Sequence, residues 1–114
     1  MQNNENKILD TFLNIIGVKQ SKGKTYLTTV LETFKEPHVP TAIIYQTIAN
    51  IHNTTPQNVE HNIRYTRNNI RTPAIPLLFS RPPLSLTNKE FINELIIEYN
   101  NELKNPKLIS NKTW

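Results

Sequence analysis

Apolar residues recur along this chain at three- and four-residue intervals rather than in alternation, which predicts helices and no strands. Ile8, Leu9, Phe12, Leu13 and Ile16 form one stripe and predict a helix over 5–16, stopped by Gly17. Tyr26, Leu27, Val30, Leu31 and Phe34 predict a second over 24–35, ended by Pro37 and Pro40. Ile44, Ile48 and Ile51 predict a third over 41–53, and Val59, Ile63, Thr66 and Ile70 a fourth over 56–71. Pro73 and Pro76 separate it from a short apolar segment, 74–79, predicted as a brief helix. Pro82 and Pro83 force an extended connection. Thr87 followed by Glu90 is a capping box, predicting a last helix that runs to 104 and buries Phe91, Leu95, Ile96 and Tyr99. No strand pair, repeat or low-complexity tract interrupts the series. The expected fold is all-α: about six helices in a compact bundle, one domain over 5–104, with polar tails at 1–4 and 105–114.

The join between the third and fourth helices carries the most information. Asn53 tolerates the left-handed conformation of a tight turn. Thr55 can cap the free N–H groups of the next helix, and Pro56 suits its first position. Ala49 is small where two helices would cross closely. One position is irregular: a strict helix-turn-helix places an apolar residue near 62, whereas Asn62 is polar and Ile63 takes its role, predicting a slightly long turn. On the fourth helix Gln57, His61, Arg64, Asn68 and Arg71 lie opposite the apolar stripe, with Glu60 and Arg67 on its flank. A helix that buries one stripe and turns basic and polar residues outward is how a helix-turn-helix offers its recognition helix to DNA. Any two antiparallel helices of a bundle show such stripes. The cap and the basic outer face are what favour DNA.

Charge sharpens this picture. Thirteen Lys and Arg against nine Asp and Glu give a net charge of +4. Lys19, Lys22 and Lys24 cluster before the second helix, and Arg64, Arg67 and Arg71 follow the fourth. Glu90, Glu94, Glu98 and Glu102 make the last helix acidic. One side therefore suits phosphates and another does not. So mild a net charge argues against sequence-independent binding, which leans on many phosphate contacts. Phe12, Tyr26, Phe34, Phe79, Phe91 and Tyr99 fall on apolar faces, leaving only Tyr65 and Trp114 free to stack on bases, so duplex DNA is favoured over RNA.

Other chemistry finds little support. With no cysteine, disulfides and thiolate metal sites are excluded. His38, His52 and His61 have no metal-binding spacing, and the two glycines make no phosphate-cradling loop. No enzyme, metal or cofactor is expected. No apolar run is long enough to span a bilayer and no secretion signal precedes the domain, so no membrane partner is expected and a cytoplasmic location is. The glycosylation-like Asn53-Thr54-Thr55 is then accidental.

The order and spacing of several segments resemble a known family. They are Ile16-Gly17-Val18, Lys22-Gly23 with Tyr26-Leu27, Ile44-Tyr45 with Ile48-Ala49, and Asn53-Thr54-Thr55. Val59-Glu60, Ile63-Arg64, Leu78-Phe79 and Thr87-Asn88 with Glu90-Phe91-Ile92 complete the series. Across roughly residues 8–99 the chain resembles the C-terminal effector domain of the sporulation master regulator family, stage 0 sporulation protein A. The resemblance implies a six-helix fold whose helix-turn-helix enters the major groove of tandem DNA boxes, with two copies meeting through the final helix region as a homodimer on DNA. It places Asn58, Glu60 and His61 on the base-reading face with Arg64 close by. Here the chain departs from the family, which has arginines where Asn58 and His61 stand. Arginine reads guanine bidentately and asparagine prefers adenine, so the departure predicts a changed DNA target. The family's receiver domain is also expected to be missing, leaving control to abundance, partner or ligand.

The expectation is thus a sequence-specific duplex DNA binder acting as a transcription regulator, nucleoid-associated when bound. Gln57, Asn58, Glu60, His61 and Arg64 would read bases, while Lys22, Lys24, Thr55, Arg67 and Arg71 would hold phosphates. The alternative is a protein-interaction modulator that keeps the fold, has lost useful DNA affinity, and binds a full-length related regulator.

Overall fold

Helical periodicity becomes helices throughout the computed structural model, which describes residues 4–70, 79 and 81–107. Among them are α1 (Asn4–Ile16), α2 (Lys22–Thr33), α3 (Thr41–His52), α4 (Pro56–Asn68), a 3-10 turn (Pro83–Ser85) and α5 (Asn88–Lys104), with no strand. The protein is all-α. The short helix expected over 74–79 lies outside the described residues apart from Phe79, which stacks on Phe91 with ring centroids 5.6 Å apart.

One apolar core joins every helix. Phe12, Leu13 and Ile16 of α1, Leu27 and Leu31 of α2, Ile44 and Ile48 of α3, Val59 and Ile63 of α4, and Phe91, Ile92 and Leu95 of α5 are all buried in it. Tyr99 lies against Phe12 with centroids 5.4 Å apart. Helices α2 and α4 lie in close contact at Gly23. A Cβ at that position would run into the Thr66 hydroxyl and stand 2.7 Å from the Asn62 carbonyl oxygen. The missing side chain is what lets α2 lie on the middle of α4.

Local signals set the helix ends. Gly17, at φ 103°, turns the chain out of α1, and the Val18 N–H donates to Leu13 O at 3.0 Å. Helix α2 starts at Lys22, two residues before the expected position, because Ser21 caps it by accepting from the Lys24 N–H at 3.2 Å. It also ends early, at Thr33, where Phe34 is extended. Asn53 is left-handed at φ 55°, ψ 52°, and the Thr54 N–H donates to Ala49 O at 2.9 Å. Thr55 accepts from the Asn58 N–H at 3.1 Å, with Pro56 opening α4. In α5 the Thr87 hydroxyl accepts from the Glu90 N–H at 3.1 Å, and the Glu90 carboxylate accepts from the Thr87 N–H at 2.9 Å. That second bond, aided by Arg81 at 2.8 Å, holds the Glu90 carboxyl below its ordinary pKa.

Two expectations about the helix-turn-helix are corrected. The turn is not long: only residues 53–55 separate α3 from α4. Asn62 needs no extra turn residue, because its amide folds back on Asn58, donating to the backbone carbonyl at 2.8 Å and to Oδ1 at 3.1 Å. The buried face of α3 is also rotated from the Ile44-Ile48-Ile51 stripe. Ile51 is 55% exposed, while Ala49 is buried and His52 turns inward. His52 is drawn there by α2: its Nε2 lies 2.7 Å from the Thr29 hydroxyl, and its ring meets Tyr26 edge-on at 5.2 Å.

Candidate functional site

Helix α4 is split lengthwise by its surroundings. Val59, Ile63 and Thr66 face α2 and α3 and are buried. Gln57, His61, Arg64 and Tyr65 are exposed on the opposite arc. The short turn, the Thr55 cap and the Gly23 contact hold α4 at its start and middle, so the exposed arc is presented from a rigid support.

The polar groups of that arc are linked. One terminal nitrogen of Arg64, Nη1, lies 2.9 Å from Glu60 Oε2, and the other, Nη2, lies 3.2 Å from His61 Nδ1. A guanidinium can only donate, so His61 Nδ1 is the acceptor in this contact. Glu60 is half-buried, its side chain 33% exposed against 48% for Arg64. Gln57 stands exposed one turn before His61.

Three residues expected to contact DNA are committed to the fold. Asn58 is half-buried: its amide donates to Thr54 Oγ1 at 2.9 Å and to the Tyr26 hydroxyl at 3.3 Å, and its Oδ1 accepts from Asn62. It faces α2, not the outer arc. Lys24 is buried, with its ammonium 2.9 Å from Asp10 Oδ1 and 2.7 Å from Asn14 Oδ1, and so ties α2 to α1. Arg67 is buried as well. Its Nε donates to Asn88 Oδ1 at 3.0 Å, and its Nη1 to the carbonyls of Pro83 at 3.0 Å and Leu84 at 3.4 Å. Burial, followed by the nearby charge of Arg64, pushes the Arg67 pKa down. Of the remaining phosphate candidates, Lys22 is exposed at the start of α2 and Thr55 is exposed at the cap, where its hydroxyl hydrogen can still be donated. Arg71 lies outside the described residues.

Sequence periodicity missed the residue that fixes this site to the rest of the protein. Asn88, the first residue of α5, accepts from Arg67 and donates to Glu60 O at 3.1 Å and to the Tyr45 hydroxyl at 3.2 Å. One buried amide thus joins α3, α4 and α5. Burial raises the Tyr45 pKa, an effect partly offset by the Asn88 bond. An Asn beside a capping Thr gives no periodic signal for such a role. The exposed Tyr65, by contrast, was legible because it falls outside the apolar stripe.

Among the described residues no cluster of His, Asp and Glu is arranged to hold a metal ion, and no helix is long and apolar enough to cross a membrane. No family model, curated protein or solved structure matches the chain.

Proposed function

We propose that the chain is a sequence-specific duplex DNA-binding protein, a transcription regulator that lays the outer arc of α4 in the major groove. The observation that carries this reading is the division of α4. Its inner face and inner arginine are locked into the bundle, while Gln57, His61 and Arg64 remain outside on a capped, buttressed helix. In this reading those three contact base edges, and Lys22 and Thr55 contact phosphates beside them. Asn58, Lys24 and Arg67 drop out of the contact set and support the helix instead. The resemblance to the sporulation-regulator effector family points the same way, and the changed residues at 58 and 61 argue for a different target. The place of action is then the nucleoid, within the cytoplasm.

A second reading, a modulator that binds a related regulator, is favoured by one feature. Ile43 and Ile51 of α3 and Tyr65 of α4 are each more than half exposed, large side chains that a protein partner could cover.

Selection of duplexes from a random library tests the first reading directly. Affinity for the selected duplex is compared with scrambled DNA at two salt concentrations. A defined motif with a specificity ratio of about 10³ or more supports an operator binder. No enrichment, or binding that vanishes with salt, rejects it and leaves the modulator reading.

A further inference from the structure

We infer that Glu60 is a positioning residue rather than a base reader: with His61 it fixes the orientation in which Arg64 meets a base pair, and so determines the base preference of the α4 face. This inference rests on the DNA-binding reading above. An exposed arginine ordinarily samples many rotamers, and ordering it on binding costs affinity. Arg64 is half-exposed yet tied at both terminal nitrogens, to Glu60 at 2.9 Å and to His61 at 3.2 Å. Glu60 is itself anchored, because its backbone carbonyl accepts from the buried Asn88. The chain of support therefore runs from the interior, through α5, to the guanidinium.

The ties leave the arginine able to read. Each terminal nitrogen carries two hydrogens, and the bond to Glu60 or His61 needs only one of them. Donor hydrogens therefore remain on both terminal nitrogens for acceptors such as guanine O6 and N7. The carboxylate has a second consequence. On a face that approaches phosphates, a partly exposed negative charge weakens the sequence-independent attraction while leaving the base contact in place. Glu60 therefore raises discrimination in two ways: it orients the reader and it lowers the background. A helix-surface ion pair without this role would lower the background and leave the base preference unchanged.

The test uses the full chain, with random-library selection and affinity measurements on wild type, Glu60→Gln, Arg64→Ala and the double variant. Urea midpoints establish that all four are folded. The expected result for Glu60→Gln is a specificity ratio lower by about tenfold, within the range of one lost bidentate contact. Part of that loss appears as tighter binding to scrambled DNA. The change should be confined to the base position that Arg64→Ala also relaxes. In the Arg64→Ala background, Glu60→Gln should alter the base preference no further. An unchanged motif and ratio in Glu60→Gln overturns the inference while leaving DNA binding intact. So does a change at a separate base position that persists without Arg64, because Glu60 would then be reading a base itself. Failure of the wild-type chain to select any motif removes the DNA-binding reading and this inference together.

Discussion

Arg64 and Arg67 stand three residues apart on one helix and do opposite things. Arg67 is 7% exposed, and its guanidinium donates through Nε and Nη1 to Asn88 and two backbone carbonyls of the 3-10 turn. The Arg64 side chain is 48% exposed and, among the described residues, bonds to Glu60 and His61 of its own helix. Both present the same planar fork of donors. The difference is whether acceptors from elsewhere in the chain come to meet it. The segment leading into α5 brings carbonyl oxygens onto the inner flank of α4, and among the described residues nothing comparable covers the outer arc. One arginine thereby closes the fold and the other remains available to a partner.

The inner arginine should give the largest effect. Arg67→Ala strands Asn88 Oδ1 in a buried site and leaves the Pro83 carbonyl with only the Leu86 N–H, so it is expected to cost about 2–4 kcal/mol, measured by urea denaturation. Arg67→Lys should recover only a fraction, because an ammonium cannot reproduce the fork. A loss below about 0.5 kcal/mol would mean that water satisfies these groups and would erase the contrast with Arg64. The same inner flank contains Gly23. Gly23→Ala forces a methyl onto Thr66 and the Asn62 carbonyl, so a destabilisation of about 1–3 kcal/mol is expected. The α2–α4 contact would be looser than the structure has it if that variant unfolded at the wild-type midpoint.

The outer face should respond in binding and not in stability. Arg64→Ala is expected to leave the urea midpoint within about 0.5 kcal/mol of wild type. Its affinity for a selected duplex should fall by about 1–3 kcal/mol, with a much smaller change on scrambled DNA. Equal losses on both DNAs would make Arg64 a phosphate contact. Lys22 and Lys24 repeat the comparison on α2. Lys22→Ala should weaken both DNAs alike and flatten the salt dependence by about one unit of slope. Lys24→Ala should act through stability, because the buried ammonium bridges Asp10 and Asn14.

These pairs also show what could be read from the sequence. The helices, the Gly17 stop, the Asn53 turn, the Thr55 cap and the Thr87–Glu90 box were legible because each follows from a local rule involving neighbours a few residues away. The fates of Arg67, Lys24 and Asn58 were not. Each depends on a partner distant in the sequence: Asn88 for Arg67, Asp10 and Asn14 for Lys24, Tyr26 for Asn58. Helical periodicity assigns a residue to a flank but does not say what covers that flank. Arg67 was correctly placed beside the apolar stripe, and only the arrival of residues 83–88 turned it inward. Ile51 failed for the complementary reason. It shares an arc with Ile44 and Ile48, but Tyr26 and Thr29 pull the His52 side of α3 toward the core. Charge runs misled similarly. The lysine cluster reads as one patch, yet Lys22 is exposed and Lys24 is buried because successive helical residues point about 100° apart.

The acidic helix divides in the same manner, with a smaller consequence. Glu90 is part of the α5 cap, and Glu102 is buried, accepting from the Lys107 N–H at 3.2 Å. Glu98, between them, is half-buried and gains no such bond among the described residues. Burial first, then the charges of Glu94 and Glu102, raise its pKa above the ordinary 4.5. A carboxyl with a raised folded-state pKa binds its proton to higher pH in the folded chain than in the unfolded one. Its contribution to stability therefore declines as pH rises from the ordinary carboxylate range through the folded-state value. Glu98→Gln removes the charge and should be slightly more stable than wild type near pH 7. The gain should be about 0.2–0.5 kcal/mol for each like-charged neighbour relieved, kept small by solvent screening. Below the ordinary carboxylate range, where Glu98 is protonated in the folded and the unfolded chain alike, the two urea midpoints should converge. A variant less stable at neutral pH would instead assign Glu98 a favourable partner, and the α5 row would then be held together by its charges rather than strained by them.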